Sequence, residues 1–171
     1  MVGIGRKGAV ANNRVRRIRE DIEDWRKVEV DSDTGAVALV RYAALDDVGR
    51  AVNPLILHGQ AHGGIAQGVG QVLGEECCYD TASGQLLSGS FMDYTMPRAD
   101  TLPSFATEIG ETPSPLNPLG IRSGGEGGTT PALAVVVNAI VDALSEFGVK
   151  HIEMPATPER VWCAIQEARK T

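Results

Sequence analysis

The alternation of hydrophobic and polar positions changes period several times along this chain, and each change marks an element. Val28 and Val30 alternate with charged residues, the pattern of a half-buried strand. Asp31-Ser32-Asp33-Thr34-Gly35 predicts a turn ending on glycine. Val37, Leu39 and the run Arg41 to Ala44 predict the returning strand of a hairpin, which Asp46 to Arg50 closes. Asn53-Pro54 opens the next element, a helix over residues 54–76. In that helix Gly59/Gly63, Gly64/Gly68 and Gly70/Gly74 each stand four apart. Each internal glycine costs about 1 kcal/mol relative to alanine. Glycines four apart share a face and let a second backbone, or a ligand, come very close.

Cys77 to Tyr79 and Gln85 to Phe91 predict two short strands around a turn at Asp80 to Gly84, and Phe105 to Ile109 predicts another strand. Residues 111–128 hold three prolines and five glycines and must be irregular. Residues 130–147 give the clearest helix: apolar residues from Ala132 to Leu144 cover most of its circumference, so it is buried on most sides. Pro131 fits its first turn and Gly148 stops it. Val149 to Met154 predicts a short strand. Thr157-Pro158-Glu159 starts a last helix, with Val161, Trp162, Ile165 and Ala168 as its apolar face. The pattern is that of a mixed α+β body: hairpins and a mixed sheet, a Gly-rich helix, a buried helix and a C-terminal helix.

Composition narrows the function classes. The 171 residues include 20 glycines and three cysteines, with a net charge of −6. Cys77, Cys78 and Cys163 are too few for a disulfide framework or a four-ligand zinc site, and Cys77 and Cys78 are expected to be structural or buried thiols. The longest unbroken apolar run, Ala132 to Val137, falls far short of the roughly 20 residues that span a bilayer. Residues 1–24 form a basic lead. Within it, residues 1–19 hold six basic side chains and no acidic one, which leaves 10 basic and 22 acidic residues in the remainder. No aromatic interleaves those arginines, and the acidic body argues against nucleic acid as the main ligand.

Three constellations could carry chemistry. Gly124-Gly125-Glu126-Gly127-Gly128 opens onto the N-terminus of the buried helix, where free backbone N–H groups favour negative charge. Glu126 there would be sterically open to a bulky ligand, as a general base needs. A flexible loop with one solvated acid explains the same residues. His58 and His62, at i and i+4, have the spacing of a zinc pair, but no third ligand stands out and no metal is expected there. Gln60, Gln67 and Gln71 share roughly one helical face. A glutamine amide beside glycines can meet a heterocyclic edge with donor and acceptor together, and surface glutamines are the plainer reading.

Several segments together resemble one family. They are Val28-Glu29-Val30-Asp31 with Gly35, Asp46-Asp47-Val48-Gly49-Arg50 to Asn53-Pro54, and Gly59-Gln60-Ala61-His62-Gly63-Gly64-Ile65-Ala66-Gln67-Gly68. Phe91-Met92-Asp93-Tyr94-Thr95-Met96-Pro97-Arg98-Ala99, Asn117-Pro118-Leu119-Gly120, Gly125-Glu126-Gly127-Gly128 and Ala134 to Ala143 complete the set. From about Trp25 to Arg169 the chain is similar to the C-terminal end of the large, molybdopterin-binding subunit of molybdenum hydroxylases. That family includes xanthine dehydrogenase, aldehyde oxidoreductase and carbon monoxide dehydrogenase, and the details look most like the carbon monoxide dehydrogenase large chain.

The resemblance implies that residues 25–171 are part of a larger molybdopterin-binding domain. It implies a catalytic role for Glu126, the base that takes a proton from a hydroxyl on molybdenum before an electron-poor carbon is attacked. It implies that Gln60 hydrogen-bonds the cofactor, with Gly59, Gly124, Gly125 and Gly127 shaping that wall. It further implies a molybdopterin-type molybdenum cofactor shared with an upstream part, and iron–sulfur clusters and FAD on partner subunits. It implies a small-molecule substrate such as an aldehyde or heterocycle, with water as oxygen source, and a cytoplasmic location. The upstream pocket segments are absent from these 171 residues, so a split subunit, a gene fragment and a truncated product all fit. A fragment would keep the fold without bound cofactor and would expose surfaces its partner covers.

Overall fold

The computed structural model describes residues 26–170. The basic lead, residues 1–24, lies outside them. Three strands form one mixed sheet in the order β1 (Arg26–Val30), β2 (Val37–Asp47) and β3 (Phe105–Gly110). Strands β1 and β2 are the antiparallel hairpin, with Val28 opposite Leu39 and a bulge at Lys27/Val28. Its turn forms as the sequence predicts: Asp31 Oδ1 accepts from the backbone N–H groups of Asp33 and Thr34 at 2.9 and 3.2 Å. Gly35 closes the turn at φ +74°, and a Cβ there would run into the carbonyl of Pro158.

Strand β2 continues through Asp46 and Asp47 rather than closing at them, because β3 lies parallel beside its second half, with Tyr42 opposite Phe105 and Asp47 opposite Gly110. A parallel neighbour requires a long crossover. Helix α1 (Pro54–Leu73) lies in that crossover and starts as expected, with Asn53 Oδ1 accepting from Ile56 N–H and Pro54 in the first turn. It ends at Leu73 rather than residue 76, because Gly74 and Glu75 both turn their N–H groups onto the Gly70 carbonyl.

Helix α2 (Thr129–Leu144) runs into a single 3-10 turn, Ser145–Phe147, and stops at Gly148 with φ +86°. By length and composition Thr129–Phe147 could cross a membrane. Here Ala132, Val135, Val136, Ala139, Ile140, Ala143 and Leu144 are buried core instead. Helix α3 (Pro158–Ala168) is capped by the Thr157 hydroxyl. Ile65, Val69 and Val72 of α1 meet α2, β1 and α3 in one core with Val28, Ile140, Leu144, Val161 and Ile165, all under 2% exposed.

The structure corrects four local expectations. Val149 to Met154 is not a strand: Val149 and Ile152 are buried, but among the described residues no strand lies alongside them to build a ladder. Gln85 to Phe91 and Cys77 to Tyr79 make only the single bridge Tyr79–Leu86 around the Asp80–Gly84 turn. Cys77 and Cys78 are exposed free thiols, because they follow the end of α1 on a loop outside the core, and Cys163 is half-buried. Trp162 is 42% exposed, while Val161 and Ile165, flanked by Ala164 and Ala168, make the core-facing side of α3.

Candidate functional site

Glu126 lies on the turn that leads into α2, and its carbonyl accepts from Thr130 N–H at 3.3 Å, the start of the helical ladder. The cap residue of α2 is Gly128, which offers no side-chain acceptor to the first-turn N–H groups. The Glu126 side chain is exposed. Gln60, one-third of the way along α1, donates its Nε2–H to the carbonyl oxygen of Gly125 at 2.8 Å. Two segments 65 residues apart are thus tied directly beside Glu126. Among the described residues no hydrogen bond reaches the Gln60 amide oxygen, which stays exposed with the second amide N–H.

The glycines divide into two groups. A Cβ on Gly64 would press on Thr129 N at 3.0 Å, one on Gly68 would meet the Ala132 Cβ at 2.6 Å, and one on Gly128 would strike the Ala61 carbonyl. These three let the backbones of α1 and α2 touch. Gly70 and Gly74 take Pro97 and Thr95 in the same way. By contrast a Cβ on Gly59, Gly63 or Gly125 would meet nothing within 4 Å. Around Glu126 itself, Gly124 leaves room for Val48 and Leu57, and Gly127 leaves room for the Asp46 carboxylate at 2.9 Å. Much of the glycine-rich pattern therefore serves the chain's own packing. An open backbone surface remains at Gly59, Gly63 and Gly125, beside Gln60 and Glu126.

Two adjacent carboxylates at the end of β2 behave oppositely, because alternation sends them to opposite sides of the strand. Asp47 Oδ1 accepts from Thr112 N–H and Gly49 N–H, each at 3.0 Å, and Arg122 lies 3.8 Å from Oδ2. The Thr112 bond chiefly, then those of Gly49 and the nearby Arg122, hold its carboxyl below the usual range. This pins the irregular segment after β3, where Arg50 N–H also donates to Gly120 O at 2.9 Å. Asp46 is half-buried against Gly127, and burial pushes its carboxyl up. No hydrogen bond among the described residues offsets that desolvation. The sequence reading missed Asp46 as a neighbour of the Glu126 turn; the doubled Asp46-Asp47 at a strand end was the available signal.

His58 and His62 face away from Gln60, toward β3. His58 Nδ1 and His62 Nε2 lie 2.8 and 3.0 Å from one atom, the Thr107 hydroxyl oxygen. Among the described residues no group of three or more His, Cys, Asp or Glu side chains is arranged to hold a metal ion. Gln67 accepts from the Thr129 hydroxyl at 3.4 Å. Next to the open glycines the surface is apolar: Val52, Leu55 and Ile56 are 78%, 82% and 66% exposed. Phe91 and Met92 are exposed as well, and β3 pairs on one side only among the described residues.

The chain is similar to molybdopterin-binding proteins. Residues 25–103 match the molybdopterin cofactor-binding domain. The chain is 38% identical to the carbon monoxide dehydrogenase large chain of Hydrogenophaga pseudoflava over 140 residues, which are 82% of this chain and 17% of that protein. It is 44% identical to the nicotine 6-hydroxylase large subunit of Paenarthrobacter nicotinovorans, over 78% of this chain and 16% of that protein. Among solved structures, a reconstituted CO dehydrogenase from Oligotropha carboxidovorans superposes with a TM-score of 0.80 at 34% identity, covering 85% of this chain and 18% of that one. Quinoline 2-oxidoreductase from Pseudomonas putida 86 gives 0.77 at 42% identity, covering 83% and 18%. The chain spans about one-sixth of the length of the relatives it matches.

Proposed function

We propose, from the premise that this chain belongs to the molybdenum hydroxylase large-subunit family, that it forms one wall of a molybdopterin-binding catalytic site. The observation that carries this reading is the Gln60–Gly125 hydrogen bond at 2.8 Å, which joins the two glycine-rich segments beside Glu126. The residues present fit a large polar cofactor. The backbone at Gly59, Gly63 and Gly125 is open, and a side chain at any of the three would fill that space. The unused amide oxygen and N–H of Gln60 form a donor–acceptor pair that suits a heterocyclic edge.

When bound, the cofactor supplies the two-electron acceptor for hydroxylating an electron-poor carbon with oxygen from water. The chain's own residues bind and move a proton. Gln60, with Gly59 and Gly125, holds the cofactor edge. Gly124 and Gly127 fix the turn by accommodating Val48, Leu57 and Asp46. Glu126, exposed on that turn, accepts the proton at its carboxylate. An aldehyde, a heterocycle or a similarly small molecule is the substrate, and iron–sulfur and FAD subunits take the electrons in a cytoplasmic complex.

The upstream part of the large subunit is the first partner. Val52, Leu55 and Ile56 beside the open glycines are the apolar surface that supports such a partner. A second reading, that these residues keep the fold without bound cofactor, is favoured by Gly64, Gly68 and Gly128, which serve the packing of α1 on α2. Co-expression with an upstream large-subunit segment distinguishes them. The catalytic reading expects molybdenum in the complex and oxidation of an aldehyde or purine, with Glu126→Gln keeping the metal and losing turnover. Turnover that survives Glu126→Gln removes the base assignment. A complex that never takes up molybdenum favours the second reading. The 171 residues alone are expected to retain no stoichiometric molybdenum.

A further inference from the structure

The function proposed above leaves His58, His62 and Thr107 without a role. The two histidines sit one helical turn apart on α1 and approach Thr107 of β3 from the same side. Their nitrogens lie 2.8 and 3.0 Å from its hydroxyl oxygen, and the rings stand edge to face with centroids 6.5 Å apart. The Phe105 ring, 5.6 Å from that of His62, limits how His62 can turn. A hydroxyl has one proton, so it donates to one imidazole and accepts from the other. Two imidazole nitrogens therefore meet at one hydroxyl oxygen.

We propose that His58 and His62 form a chelating site for a borderline divalent transition metal, with Thr107 organising it. Imidazole suits zinc, nickel and copper, and the absence of any coordinating carboxylate in the pair disfavours magnesium and calcium. Spacing of i and i+4 on a helix is the spacing at which two histidines share a metal. Uptake requires the ring that donates to Thr107 to move its proton to its other nitrogen, and the Thr107 O–H to turn away from the ring it donates to, which together free both lone pairs. Water completes the coordination, because two imidazoles and a hydroxyl leave positions open. The site is thus an exchangeable one rather than a closed structural one. It does not depend on the molybdenum reading, since neither histidine contacts Gln60, Gly125 or Glu126 through any hydrogen bond among the described residues.

Isothermal titration of the full chain with zinc and with nickel tests this, with magnesium as control. Cys77, Cys78 and Cys163 are free and would compete as thiolate ligands, so the titration is made in the Cys77→Ser/Cys78→Ser/Cys163→Ser background. One equivalent of zinc or nickel is expected to bind saturably, and magnesium not at all. His58→Asn and His62→Gln retain a polar partner for Thr107 while removing the imidazole. Each is expected to weaken binding at least about tenfold with the far-ultraviolet dichroism unchanged. His151→Ala, at the chain's third histidine, is expected to leave binding intact. No saturable binding, or binding that survives His58→Asn and His62→Gln, overturns the proposal.

Discussion

Gln60 donates its side-chain N–H to the carbonyl oxygen of Gly125 at 2.8 Å, so the first half of α1 holds the turn that carries Glu126. The bond is exposed, and its net contribution to stability is about 0.5–1.5 kcal/mol. Gln60→Ala is expected to cost no more than that in global stability. Its local effect is larger: amide exchange at Gly125 to Gly128 speeds up while α2 beyond Ala132 stays protected. Unchanged exchange across the turn would show that Gln60 does not restrain it.

The two groups of glycines predict opposite responses to the same substitution. Gly68→Ala and Gly128→Ala force a methyl group into Ala132 and into the Ala61 carbonyl, and each is expected to destabilise by about 1–3 kcal/mol. Gly59→Ala and Gly63→Ala meet open space on a helix and are expected to stabilise the isolated chain by about 0.5–1 kcal/mol. Thermal denaturation reads both. In a complex with the upstream part, Gly59→Ala is expected to lower molybdenum content despite the more stable fold. Equal effects at all four positions would contradict this division.

Asp46 and Asp47 predict pH dependences of opposite sign. The folded-state pKa of Asp47 is lowered, chiefly by the Thr112 N–H, so its stabilisation is present above the unfolded pKa of about 3.9 and is lost as pH falls through the folded value. Asp47→Ala is expected to cost about 1–2 kcal/mol at pH 7 and less at pH 3. Burial raises the folded-state pKa of Asp46, so its ionised form opposes folding above the unfolded value and its protonated form does not. Asp46→Asn is expected to raise the melting temperature at pH 7, with the gain vanishing in acid. Denaturation curves at both pH values check the two signs.

The Arg160 guanidinium makes a two-pronged contact with Glu76, at 2.8 and 3.1 Å, and donates to the Pro155 carbonyl at 3.0 Å. Both charged groups are about 40% exposed, so solvent screens the pair and Glu76→Gln is expected to cost at most about 1 kcal/mol. Arg160→Ala is expected to cost more, because it also strips the Pro155 carbonyl of its donor. A double-mutant cycle on thermal stability separates the two contributions.

The sequence by itself determined the three helices and the strands that became β1, β2 and β3, the helix starts at Asn53 and Thr157, the stop at Gly148 and the placement of Glu126 at the entrance to α2. Each of these is written locally, in a cap residue, a proline in a first turn, or an apolar period of 3.6. Its spaced motifs also carried the resemblance to molybdenum hydroxylases. Only the tertiary structure decided what each glycine faces, because periodicity assigns a residue to a side of a helix and says nothing of what lies there. Gly59 and Gly68 are alike in sequence; one meets open space and the other meets Ala132. Likewise i and i+4 spacing put His58 next to His62, but the parallel pairing of β2 with β3 brought Thr107 between them from 45 residues beyond His62. Gln60 joined Gly125 by the same kind of event, the close crossing of α1 and α2 that Gly64, Gly68 and Gly128 permit.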